Sequence, residues 1–160
     1  MSGNDPLSVV ETLAQNNDWP FERDDQDEIS IVATGKWADY QVSFTWLPET
    51  NVLHLACSFE LKVVPHRLTQ TKELISLINQ KLWVGHFDLW PEKWLVLFRH
   101  GLLFPGELRP TSEQCAQLLQ TAVDDCETHY PAFNYVLWAG KSGKESLDAV
   151  HALSTVEGEA

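Results

Sequence analysis

The residues of this 160-residue chain that could do chemistry are three cysteines, six histidines and a few runs of carboxylates. Cys115 and Cys126 fall on one helical stretch, sharing a face but separated by about 16 Å along the axis, so they cannot bridge each other. Cys57 falls among the apolar residues of an alternating stretch. A buried free cysteine behaves as a small hydrophobe; to act as a nucleophile, Cys57 would have to be exposed beside a histidine. The histidines are scattered at 54, 66, 86, 100, 129 and 151. His86 and Asp88 face one side of a strand, a pair that could hold a metal or orient a proton shuttle. Zinc sites need three or four ligands at recognisable spacing, and no segment supplies them. The run Asp24-Asp25-Gln26-Asp27-Glu28 lacks the central glycine and twelfth-position glutamate of a calcium loop. It reads as an acidic turn that keeps a sheet edge soluble. Asp124, Asp125 and Glu127 lie on the wet side of a helix rather than in a cleft. Gly140-Lys141-Ser142-Gly143-Lys144 contains a GKS, but a phosphate loop needs a glycine where Tyr135 stands. No catalytic residue, metal or cofactor is therefore expected.

The formal charge of −12, from 11 basic and 23 acidic residues, leaves no basic face for nucleic acid. Anionic membranes are disfavoured for the same reason. No apolar run approaches the roughly 18 residues that span a bilayer, and the acidic N-terminus MSGNDPLSVVETL lacks the layout of a signal peptide. An odd number of cysteines without a CxxC pair suits a reducing compartment. The expectation is a soluble cytoplasmic protein. Seven tryptophans are the compositional oddity, because large aromatics fill cores and also dominate interfaces.

The elements that must position these residues follow from periodicity. Asp5-Pro6 caps and opens a helix carrying Leu7, Val10, Leu13 and Ala14. Residues 23–28 read as an acidic connection and 28–34 as a strand. Tyr40, Val42, Phe44 and Trp46 alternate with polar residues, as do Leu53, Leu55, Cys57, Phe59 and Leu61 after a turn at 48–51; strict period two predicts an antiparallel hairpin. Pro65 opens a helix running to about Trp83, and Gly85 breaks it. Residues 86–90 and 94–104 form the next hairpin, its second strand apolar on both faces and so expected to be covered on both, by helices or by another subunit. Thr111 and Ser112 cap a long helix with Cys115, Leu118, Leu119, Ala122, Val123, Cys126 and Tyr130 on its buried stripe. Pro131 kinks or restarts it. A tail helix over 144–153 follows, with 154–160 frayed. The order α-β-β-β-α-β-β-α plus a C-terminal tail helix makes a single α+β domain over 1–160, with its core at about 5–153 and an antiparallel sheet packed with helices.

The segments NDWPFER (17–23), LWVGHFDLW (82–90), FRHGLLF (98–104) and CETHYPAFNYVLWAGKS (126–142) resemble the YbjN domain family of bacterial sensory transduction regulators over about residues 5–153. The last segment is the most specific. The resemblance implies a fold like that of type III secretion chaperones and a homodimer without an active site. The leading expectation is a non-enzymatic module that binds an unidentified protein or peptide client, by strand addition at a sheet edge or in an aromatic groove. Trp37, Trp46, Trp90, Trp94 and Phe98 are the expected partner contacts, with helix 65–83 and strand 94–104 as dimer elements. The alternative is a small-molecule sensor with a pocket of roughly 300 Å³ or more between sheet and helices near His86, Asp88 and His100. An enzyme using Cys57 or a histidine–carboxylate pair is the third possibility.

Overall fold

The computed structural model describes residues 5–140 and 142–159, with side chains as far as His151. Helix α1 (Pro6–Asn16) starts where Asp5 Oδ1 accepts the Leu7 N–H at 3.0 Å, and it buries Leu7, Val10 and Ala14. Strands β1 (Phe21–Asp25), β2 (Glu28–Thr34), β3 (Asp39–Leu47) and β4 (Val52–Lys62) then form an antiparallel meander. After a 3₁₀ turn at Pro65–Arg67, helix α2 (Leu68–Asn79) crosses to β5 (His86–Trp90) and β6 (Leu95–Leu103). β6 inserts beside β4, so the six strands lie in the order β1-β2-β3-β4-β6-β5. Helix α3 (Ser112–Asn134) begins with a reciprocal cap between Thr111 and Gln114, and α4 (Gly143–Glu159) closes the chain.

The α+β class and an antiparallel sheet packed with helices are as the periodicities predict. All four helices lie on one face of the sheet: α1 on β2 and β3, α3 across β4 and β6, α2 against β5, and α4 on α2 and α3. The core lies between the layers. Tyr40, Val42, Phe44, Leu53, Leu55, Cys57 and Phe59 point into it and meet Phe133, Tyr130 and Cys126 from α3. The alternating residues Gln41, Ser43, Thr45, His54, Ala56 and Ser58 form an outer face that no element among the described residues covers. On this face Leu103 is 75% exposed. Within the described chain, helices cover β6 on one side only.

Two further departures have physical causes. The acidic connection expected at 23–28 contains a strand, β1. Its inward Arg23 is satisfied by Asp5 at 3.2 Å and Glu11 at 3.3 Å on α1, so a charged residue occupies a position where the apolar pattern would be sought. The tail helix runs to Glu159 rather than ending at 153, because nothing in the intervening sequence interrupts it; Ala160 lies outside the described residues, as does Lys141 of the GKS run. Pro131 does not end α3, which continues to Asn134 and passes into a π-helical turn at Tyr135–Ala139. Gly140 follows in a left-handed conformation. Gly143 lets α4 approach α2 so closely that a Cβ there would lie 2.5 Å from the Leu74 nitrogen.

Candidate interaction surface

Two of the five expected contact residues are core. Phe98 is fully buried, edge-on to Phe87 at 5.5 Å, and Trp46 packs on Phe104 at 6.2 Å. Trp46 is in phase with Tyr40, Val42 and Phe44, so it points toward the helices, and Phe98 does the same beside Val96. As contacts for a partner these two are corrected to structural residues. Trp37, Trp90 and Trp94 are at the surface, exposed by 50, 36 and 36%.

These three gather at one end of the sheet. Trp37 lies in the β2–β3 turn, and Trp90 and Trp94 flank the β5–β6 turn, where the Trp94 carbonyl accepts the Val63 N–H just past β4. The register of β4 with β6 runs from Lys62–Leu95 here to Val52–Leu103 at the far end. Helix α3 runs toward the same end, and its π-helical extension presents Trp138, 78% exposed, with Gly140 against Arg67. Trp138 was not among the expected contacts; within an apolar segment its exposure has no periodic signature. Lys36 lies 5.0 Å over the Trp37 ring and Lys93 4.8 Å over Trp90, contacts of the cation–π kind. The Trp37 N–H donates to Glu127 Oε1 at 3.4 Å, tying the β2–β3 turn to α3. Trp94 has φ +54°, a conformation that costs a bulky residue free energy. At the opposite end, Trp83 is 99% exposed beside Val84.

The two free edges of the sheet differ. On β5, Asn79 of α2 accepts the Phe87 N–H at 2.8 Å and donates to the Phe87 carbonyl at 3.0 Å, while Asp88 Oδ1 accepts the Leu89 N–H. The Phe87 N–H and C=O and the Leu89 N–H of that edge are thus occupied, which disfavours strand addition there. The β1 edge is five residues long and mostly charged.

The polar candidates do not converge between sheet and helices. His86 and Asp88 lie on the open outer face, where His86 is paired across the sheet with Arg99 and Asp88 Oδ2 is 3.5 Å from Arg99 Nη1. His100 alternates to the helix side of β6, opposite Leu55. Burial lowers the His54 and His100 pKa values; the neighbouring Arg99 guanidinium lowers His54 further, and His86 lowers His100. Around Arg99 the outer face has a shallow depression of about 260 Å³ lined in part by His54, Ala56, Asp88, Trp90 and Leu97. All three cysteines are buried. Cys57 has Cys126 rather than a histidine beside it, Sγ to Sγ 3.6 Å, a contact across sheet and helix that sequence spacing does not reveal. Burial pushes the Cys115 thiol up to about 11 and raises Cys126 as well, where contact with Cys57 adds to the effect. Such thiols are poor nucleophiles at neutral pH. Among the described residues no group of three or more histidine, cysteine or carboxylate side chains could hold a metal ion. No helix there is long and apolar enough to cross a membrane.

A six-stranded antiparallel sheet with its helices on one face and tryptophans gathered at one end defines an α+β protein with an aromatic surface. The chain belongs to the YbjN family, described as "Putative bacterial sensory transduction regulator", whose model matches residues 6–134. That description is of a regulator and names no reaction. A search of curated proteins finds no match.

Proposed function

We propose that this protein is a non-enzymatic, cytoplasmic regulatory module that binds a protein client through its tryptophan-bearing end. One observation carries the reading: Trp37, Trp90, Trp94 and Trp138 are all exposed at one end of the sheet, Trp90 on its open face and Trp138 on the helix side. Exposed tryptophan is rare on a surface that contacts only water and is the residue most enriched in binding hot spots. The buried cysteines, the dispersed histidines and the family's description fit a binding role. Because Asn79 occupies the β5 edge, the client docks on side chains at this end rather than as an added strand on β5.

A second copy of the chain is the proposed partner at the other end. There Leu47, Val52 and Leu103 stand in one cross-strand row on β3, β4 and β6, and Trp83 and Val84 project after α2. The test has two arms. Light scattering should give the mass of a dimer for the wild type and of a monomer for Leu103→Glu; a wild-type monomer removes the dimer. Affinity capture from native lysate should retain a client that the Trp90→Ser/Trp138→Ser variant loses. A client held equally by both proteins, or none held by either, removes the binding reading.

A further inference from the structure

The depression on the outer face is a different kind of site from the tryptophan-bearing end. Arg99 and Ala56 are directly opposite each other on β6 and β4, and Leu97 stands two residues before Arg99 on the same face. The guanidinium is fixed from two sides. Nε donates to His54 Nε2 at 3.2 Å, and Nη1 lies 3.5 Å from Asp88 Oδ2. Nη2 has no hydrogen-bond partner among the described residues. Ala56 and Leu97 form an apolar floor, and Trp90 supplies an aromatic wall, with Lys93 Nζ 4.8 Å from its ring centroid.

Each part selects for something. A planar guanidinium held in place offers paired N–H donors to a carboxylate fork and loses little freedom on binding. A small dry floor and an indole wall favour a short apolar body, aromatic or branched. The space of about 260 Å³ lies just under the range of ordinary ligand sites and admits only a small molecule. Asp88 within the same depression opposes a doubly charged phosphate but tolerates a single negative charge. His54 accepts from Arg99 through Nε2, so its proton is on Nδ1 and it is a neutral neighbour rather than a second cation.

We propose that this depression binds a small monocarboxylic acid with an aromatic or branched apolar body. The carboxylate is held by Arg99, and the body lies on Ala56 and Leu97 against Trp90. This site shares Trp90 with the client-binding end but not Arg99, Ala56 or Leu97, so Arg99→Gln tests it without altering the tryptophans of that end.

The test titrates the full chain with sodium phenylacetate at constant ionic strength, following amide and indole N–H resonances. Saturable shifts confined to Gly101, Ala56, Leu97 and the Trp90 indole are expected. Arg99→Gln should weaken binding about tenfold or more, as loss of a charged hydrogen-bonded contact does. Arg109→Gln, at a remote arginine, should leave it unchanged. Neutral phenylacetamide should bind at least about tenfold more weakly than the acid if the guanidinium reads the charge. Because Arg99 is 43% exposed, its replacement is not expected to unfold the chain, and circular dichroism checks this. No saturable shift, shifts located elsewhere, equal binding of the amide, or an unaffected Arg99→Gln would each overturn the proposal.

Discussion

His129 shows how one side chain sets a solution property. It lies edge-on to Phe87 at 5.6 Å, and its Nδ1 is buried without a hydrogen-bond partner among the described residues. Burial, aided by the nearby charges of His151 and Lys81, lowers its pKa to about 4. The folded protein thus holds this ring neutral while the unfolded chain protonates it near its usual value of about 6.5. Protons bind the unfolded state preferentially between those values, so stability is present above pH 6.5 and falls as the pH drops toward 4. Between pH 7 and pH 5 the loss is about 2 kcal/mol from this residue. His54 and His100, also lowered, add to it in the same direction. Urea denaturation at the two pH values should show that His129→Gln loses about 2 kcal/mol less than the wild type; an identical loss would refute the assignment. A second contrast separates core from surface. Phe98→Ala should cost about 3–5 kcal/mol, as for a fully buried aromatic. Trp138→Ala should change stability by less than about 0.5 kcal/mol, as for an exposed residue. The same denaturation curves report both.

Among the elements, β5 depends on a helix to close its outer side. Asn79→Ala removes both bonds to the Phe87 backbone, and a cost of about 1–3 kcal/mol follows from leaving those groups unpaired. The freed edge should also promote self-association, seen as a concentration-dependent mass; a variant as stable and as monodisperse as the wild type would contradict this. Sequence pattern made some elements plain and hid others. β3 and β4 were legible because their inward and outward residues differ in polarity at every step, and α3 because Thr111 and Gln114 announce its start. β1 was hidden because its inward residue is an arginine whose counter-charges lie on α1. The aromatic surface was half legible. Trp90 is in phase with Asp88 and His86, which points it outward, whereas β6 is apolar on both faces and gives Phe98 no readable side. The Cys57–Cys126 contact depends on α3 packing over β4, and the Arg99 depression on β6 lying beside β4; no local pattern encodes either.

On the scale of the whole molecule, the charge of −12 and the tryptophan-bearing end act in opposite directions. The charge keeps chains apart, whereas exposed apolar side chains, the tryptophans and Leu103 among them, favour association. Added salt screens exposed charges within about 8–10 Å. Self-association through apolar residues should therefore strengthen with ionic strength, and sedimentation from low to high salt would measure it; a dimer that dissociates in salt would point to ionic contacts instead. The position of β6 between β4 and β5 also matters while the chain is being made. Strands β1 to β4 can pair as each one leaves the ribosome, but β4 keeps one long side without a neighbour until β6 has been synthesised. At about 5–20 residues per second, the stretch from Lys62 to Leu103 takes about 2–8 s. For that interval the nascent protein carries an unfinished sheet, its β4 edge open to pairing, beside other translating chains.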